Sequence, residues 1–415
     1  MASKEKEVIS AVIKQVSPSK EDVTRLAEIE KEILAKIKVP SAKPALGGSG
    51  AKGTWLKDTH DIDIYVKFSY AKYAKLSDKI SDILEKSLKK SFTKLTRIHG
   101  SRDYFQTSQK GYTVEIVPIL EIRNAKQAKN ITDFSSHHVK YINAKIKKKK
   151  SLANEIRITK VFAKANRLYG AESHIKGLSG YAVELLVAHY GSFLNLIKAA
   201  SKWKSIEIIG NKKTAEKLNW AKKVSPLILI DPVQPDRNAA AALSREQYES
   251  IIKSSKSFLA KPSLSFFEKK QINLTELKKK GNLIVIKVKP ITAKKDVAGA
   301  KALKAFEFIV NSLEKFKVVY SFFEYSDVAA TFYIVTKEKS LPKEYRHPGP
   351  PIGNIKAFEE FKKANRGYVV KEDTTLKRYY MMKKTRNPEI FDHLKEMLKK
   401  EEVTSRVKDI TTTTG

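Results

Sequence analysis

Cysteine is absent from the 415 residues. That excludes disulfides, thiolate metal sites and a cysteine nucleophile, and it fits a reducing cytoplasm or a hot one. The N-terminal stretch Met1-Ala2-Ser3-Lys4-Glu5 lacks an apolar core, so no signal peptide is expected. Long hydrophobic runs are also missing. The most apolar stretch, 178–200, is broken by Glu184, His189, Gly191 and Asn195, which predicts a buried helix pair and not a membrane span. Acidic charge is scarce: 45 Asp+Glu stand against 81 Lys+Arg, for a formal net charge of +36. Such an excess points to a polyanionic partner, nucleic acid first and an anionic membrane surface second. The length leaves room for two to four domains, each with its own core.

What is present centres on one stretch. Gly47-Gly48-Ser49-Gly50-Ala51-Lys52-Gly53-Thr54-Trp55-Leu56 is followed by His60-Asp61-Ile62-Asp63-Ile64-Tyr65-Val66. Glycines let backbone approach a ligand closely, Ser49 offers a hydroxyl, and Lys52 is a point charge suited to phosphate. The acid–hydrophobe alternation over Asp61 to Ile64 is a strand signal that puts both carboxylates on one face. Two acids on one exposed face repel unless a cation lies between them, and Mg²⁺ prefers carboxylates together with nucleotide phosphates. The loop matches neither the Walker nor the Rossmann spacing. A phosphate-cradling loop leading into a two-acid strand is a design for nucleotidyl transfer.

Along the chain, 21–39 has helical periodicity, with Ser19 as N-cap, Asp22 completing a capping box and Pro40 as the stop. This helix is expected to pack on the back of the acidic strand's sheet. A second helix is predicted over 77–91, and strands over 93–98 and 112–120. In the last of these, Glu115 sits between hydrophobes. It is either a third acid beside Asp61 and Asp63 or a surface-facing acid on an edge strand. The paired His137 and His138 have no cysteine or third histidine nearby, so a hydrogen bond from His138 to phosphate is a better reading than a metal site. The lysine run 145–150 reads as a solvated face with secondary phosphate potential. Residues 152–200 read as helical, with Lys160 and Tyr169 as polar residues in apolar surroundings. Arg237 is expected at the N-terminal end of a helix beginning near Ala239, where it can meet phosphate or a base edge.

Composition shifts over 257–267, which marks a boundary. Beyond it, a strand is predicted over 282–289, a helix over 298–316, and strands over 317–325 and 328–335. That order suggests a ferredoxin-like split βαβ unit with the aromatic and basic mix of an RNA binder. Pro348-Gly349-Pro350-Pro351 reads as a rigid turn, 357–364 as a basic helix, and the terminal threonines as disordered.

These residues resemble the archaeal, class I CCA-adding tRNA nucleotidyltransferases of the polymerase-beta-like superfamily, over nearly the whole chain. The superfamily part is Gly48-Ser49, Lys52 to Leu56 and Asp61-Ile62-Asp63. More specific are Lys52-Gly53-Thr54-Trp55, Tyr169-Gly170-Ala171-Glu172, Lys176 to Tyr181, Glu184-Leu185-Leu186, His189 to Phe193, Asp231-Pro232, Arg237-Asn238 and Gly349-Pro350-Pro351. The resemblance implies an α+β chain: a nucleotidyltransferase head over 1–140, a helical central nucleotide-recognition domain over 141–257, and a C-terminal tRNA-binding region over 258–415. It implies two Mg²⁺ ions held by the catalytic acids Asp61, Asp63 and Glu115. It implies nucleotide contacts from Gly48, Ser49, Lys52, His138, Lys160, Tyr169 and Arg237. CTP and ATP would be the substrates, the tRNA acceptor stem and T-arm the partner, a homodimer the common assembly, and the cytoplasm the location. The chain departs from the family in having Glu at the third acid and in lacking a Thr-Pro pair before His138. Rival readings are a poly(A) polymerase or oligoadenylate synthetase on the same module, or a non-catalytic RNA-binding protein on the same fold.

Overall fold

The Ser19 hydroxyl accepts from the Asp22 N–H while the Asp22 carboxylate accepts from the Ser19 N–H, so the capping box starts helix Lys20–Lys36 where the sequence placed it. Ile29 and Ile33 on its inner face are buried against the first sheet. The computed structural model describes residues 2–292, 295–326 and 329–414. It forms two compact units, Met1–Lys270 and Gln271–Gly415.

The sheet of the first unit has five strands: β1 (Ala42–Leu46), β2 (Asp61–Ser69), β3 (Thr96–Ile98), β4 (Tyr104–Gln109) and β5 (Tyr112–Glu121). Their spatial order is β1-β2-β5-β4-β3. Only β2 and β5 are parallel; the other pairs are antiparallel. Ile62, Ile64, Val66 and Phe68 alternate into the core, joined by Val114 and Ile116 from β5. Sequence reading missed β1, where Pro44 speaks against a strand but is tolerated at the sheet edge. It also missed β4, whose Gln106, Thr107, Ser108 and Gln109 give little hydrophobic alternation.

A separate helical core follows in the same unit. Helices Ser135–Lys148, Leu152–Ala165, Gly180–Tyr190, Phe193–Ala200 and Arg245–Ala260 build it. The apolar run 178–200 is the expected buried helix pair, turned by Gly191 at φ +79°. Helix Ala2–Val16 packs here through Val12, so the first residues join the helical core and not the sheet. The boundary expected near 257 lies inside helix Arg245–Ala260. Phe258, Phe266 and Phe267 interlock with Phe162 and Phe193, which carries the first unit on to Lys270. No helix begins near Ala239. The Ala239 N–H bonds Leu229 O, and the Asn238 side chain binds the backbone of Leu229, Ala240, Lys222 and Leu227. Those bonds hold the segment as a turn, and the next helix is capped by Ser244.

In the second unit, strands Asn282–Pro290, Val318–Ser326, Ala329–Thr336 and Val407–Thr414 form an antiparallel sheet, with the last beside the first and the third between first and second. Helices Lys295–Leu313 and Ile390–Leu398 cover it through Ile309, Leu313, Ile390 and Leu394. This is the connectivity of a split βαβ unit. Val328, expected to open a strand, lies outside the described residues. The terminal threonines are a paired strand and not a disordered tail, because β-branched side chains suit a ladder and the edge of Asn282–Pro290 accepts one. Inserted between the third strand and helix Ile390–Leu398 is a second sheet of strands Glu344–Pro351, Val370–Asp373 and Arg378–Lys384. The proline-rich stretch belongs to its edge strand, with the register broken between Pro348 and Pro351, and is not a free turn. Among the described residues no helix is long and apolar enough to cross a membrane.

Phe332 is fully buried between Phe306 and Phe323. Phe332→Ala is expected to cost about 3–5 kcal/mol, read as a lower urea midpoint at unchanged slope.

Candidate active site

The loop before β2 folds into a short helix, Gly48–Lys52, entered from Gly47 and left through Gly53 at φ +61°. Neighbours on both sides fix it. The Gly47 N–H donates to Asp63 O (2.7 Å), and the Gly48 N–H donates to the Tyr65 hydroxyl (3.2 Å). Burial pushes that phenol up to about 12. From the helical core, the Asn143 amide donates to Ala51 O (3.0 Å), and Arg157 donates to Trp55 O (2.9 Å) and Gly53 O (2.6 Å). Gly48 has φ +50°, and a Cβ added there would fall inside the Asp63 carboxylate. Glycine is therefore required for backbone and acid to lie this close. Ser49 lies half-buried in the same turn.

Asp61 and Asp63 share the open face of β2, with Ile62 and Ile64 buried behind them. Glu115 is the register partner of Asp63 across the parallel β2–β5 pair. Val114 and Ile116 on either side of it are buried, so it shares the acids' face and does not lie on an edge strand. Its Oε1 is turned to the Gln106 amide of β4 at 3.4 Å. Among the described residues, no three acid, histidine or cysteine side chains are drawn together as a ready-made cation cage. The donors are all carboxylate oxygens, the chemistry that suits magnesium. Burial pushes the Asp63 carboxyl above the ordinary range; Lys52 pulls it down and the Asp61 charge adds to the rise. A cation would relieve that cost, so the residues fit one by the chemistry of their donors.

Two buried clusters gather most of the other expected residues. In the first, Glu184 takes Lys52 on Oε2 (2.6 Å) and Lys160 on Oε1 (2.8 Å), while the Thr54 hydroxyl donates to Oε1 (2.9 Å). Burial alone would raise the Glu184 carboxyl, but Lys160 and Lys52 together hold it below the ordinary range. Burial pushes the Lys160 ammonium down against the pull of Glu184. Tyr169 belongs to the same neighbourhood: burial raises its phenol, and the charges of Glu184, Asp63 and Asp61 add to the rise. Lys164 lies 5.2 Å over its ring.

In the second cluster, fully buried Asp231 receives the Tyr181 hydroxyl (3.0 Å), the Val233 N–H (2.9 Å), Arg237 (3.3 Å) and, as an ion pair when protonated, His138 Nε2 (3.2 Å). Burial would raise the Asp231 carboxyl, but His138, the Val233 N–H and Arg237 bring it below the ordinary range. The His138 ring stacks on Tyr181 at 4.1 Å. Of the paired histidines, His138 is the one that contacts Asp231 and Tyr181. Arg237 reaches it from a turn and not from a helix end.

Sequence reasoning gave no role to Glu184, Asp231 or Tyr181. The signal was there for Glu184, a carboxylate within the most apolar run of the chain. Tyr181 and Glu184 are three residues apart on helix Gly180–Tyr190, hence on one face, so a single helix serves both clusters.

Comparison with known proteins shows the family of the chain. Residues 26–161 match the nucleotidyltransferase domain family, and residues 154–268 match the second domain of tRNA nucleotidyltransferases. The chain is 38% identical to the CCA-adding enzyme of Nanoarchaeum equitans, over 82% of this chain and 83% of that one. It is 31% identical to that of Methanocaldococcus jannaschii, over 86% and 83%, and 31% identical to that of Sulfurisphaera tokodaii, over 84% and 83%. Among solved structures, the Cid1 poly(U) polymerase bound to MgATP superposes at a TM-score of 0.50 with 14% identity, over 64% of this chain and 98% of that one, a likeness of fold.

Gly48→Ala is expected to displace the Asp63 carboxylate and lower nucleotidyl turnover by about 100-fold. The stability cost should be only about 1–2 kcal/mol, from the left-handed backbone. Single-turnover kinetics beside a thermal melt checks both.

Proposed function

The chain belongs to the archaeal CCA-adding enzymes, the tRNA nucleotidyltransferases, and from that membership we propose that it builds or repairs the 3′-terminal CCA of tRNA. CMP, CMP and AMP come from CTP and ATP, without a nucleic-acid template. The observation that carries the reading is the convergence of Lys52 and Lys160 at one carboxylate in the electrostatic reach of Asp63. Cations set beside an acid face meet both needs of the reaction: neutralising a triphosphate and seating a metal.

In the reaction the tRNA 3′-oxygen forms a bond to the α-phosphorus, the α–β phosphoanhydride bond breaks, pyrophosphate leaves with its electron pair, and the hydroxyl proton passes to solvent. Asp61, Asp63 and Glu115 would hold the magnesium, proposed as two ions, which when bound would lower the pKa of the attacking hydroxyl and offset charge on the leaving group. Gly48 and Ser49 bring backbone and hydroxyl close to the nucleotide. Lys52 and Lys160 receive triphosphate charge, with Tyr169 beside them. His138 and Arg237, tied to Asp231, face the phosphates and the incoming base respectively. The second unit is assigned to the tRNA acceptor stem and T-arm, read by shape and phosphate. Its exposed Tyr345, Tyr368 and Met382 lie among lysines and arginines of the inserted sheet.

Purified protein with tRNA lacking its 3′ end should use CTP and then add a single A. Long A tracts would favour a poly(A)-type polymerase instead, and no magnesium-dependent turnover would favour a non-catalytic RNA binder. Asp63→Ala is expected to abolish incorporation while tRNA binding, measured by gel shift, survives.

A further inference from the structure

The two lysines of the nucleotide site arrive from different segments: Lys52 from the short helix after Gly47, and Lys160 from helix Leu152–Ala165. Two ammonium groups at one spot repel. They share it here because each takes a different oxygen of Glu184, at 2.6 and 2.8 Å. Glu184 is 1% exposed, and Val183, Leu185, Leu186 and Val187 beside it are buried hydrophobes. Packing alone would call for another hydrophobe at this position. A purely structural ion pair would be one acid with one base and no net charge. Two cations share the one carboxylate in contact with them, and the Asp63 charge acts on both from β2, so an arriving triphosphate meets cations already gathered.

We propose that Glu184 is the positioning residue of the nucleotide site, its single carboxylate holding the ammonium groups of Lys52 and Lys160 side by side to receive triphosphate charge. The inference rests on the nucleotidyl-transfer reading above. Thr54 completes the hub: its hydroxyl donates to Glu184 and its carbonyl lies 3.3 Å from Lys160 Nζ. The charged groups acting on Lys160 are Glu184 from helix Gly180–Tyr190, Lys52 from the loop, Lys164 from its own helix and Asp63 from β2. Glu184 is the one of these in contact with it that stabilises its proton.

The test is steady-state kinetics of the full chain on tRNA lacking its 3′ end, with CTP or ATP varied, for the parent, Glu184→Gln and Glu184→Asp. Glutamine keeps the shape and the Thr54 hydrogen bond but removes the charge. Glu184→Gln is expected to raise the nucleotide KM by about tenfold or more, the worth of charge-assisted hydrogen bonds. The tRNA KM should stay within about twofold, since uniform binding of that partner is untouched. The alkaline limb of kcat/KM for nucleotide should move to lower pH, because Lys160 loses the anion that helps it keep its proton. Glu184→Asp should restore part of both effects. Parent values of the nucleotide KM and of the pH limb in Glu184→Gln would overturn the proposal. So would a loss of activity that merely tracks the loss of folded protein, with both KM values unchanged. If Glu184→Gln does not fold, Glu184→Asp decides on the same readouts. A parent enzyme that incorporates no nucleotide rejects the functional reading itself, whereas an active parent with an indifferent Glu184→Gln rejects only this inference.

Discussion

One buried carboxylate between two lysines is the constraint on which the first unit's site depends. Glu184 would be costly in its apolar helix if left alone, and breaking such a pair by removing one partner typically costs about 3–5 kcal/mol. The loop after Gly47 and helix Leu152–Ala165 are therefore obliged to meet at helix Gly180–Tyr190. Arg157 adds to that obligation by binding the carbonyls of Gly53 and Trp55. The loop is thus held between β2 and the helical core, and its short helix is an outcome of tertiary contacts more than of local propensity.

The same helix carries Tyr181 one turn before Glu184, and through it the Asp231 cluster with His138 and Arg237. The acids are placed differently. Strand register sets them: Asp63 opposite Glu115, with Asp61 two residues earlier on the same face. The site therefore combines acids fixed on a sheet face by strand register with side chains that long-range ion pairs hold in place. Rigid elements carry the charges, and the loop carries the close backbone approach that glycine permits.

Local chemistry was legible in the sequence. The capping box at Ser19, the alternation of β2 and the helix pair around Gly191 each follow from short patterns that the structure keeps. What was not legible depends on partners distant in sequence. Glu115 read equally as a site acid or a surface acid until its register with Asp63 was known. Arg237 read as a helix-end residue because Ala239 to Leu243 look helical, yet Asn238 spends its side chain on four backbone groups and holds a turn. Glu184 drew no role because its cations lie 24 and 132 residues away in sequence, and Asp231 because its Tyr181 partner lies 50 residues away and the His138–Tyr181 stack beside it shows in no spacing. The threonine tail was misread for the same reason: polar composition suggested solvent, while an unpaired strand edge elsewhere in the chain supplied its partner.

That pairing has a consequence for biogenesis. Strand Val407–Thr414 lies beside strand Asn282–Pro290, a contact that spans 124 residues at Thr411 and Lys287. During synthesis Asn282–Pro290 therefore has one side bare until strand Val407–Thr414 is made and free to pair. A bare strand side in a nascent chain is an invitation to mispairing, so the sheet of the second unit is vulnerable for as long as strand Val407–Thr414 has yet to pair.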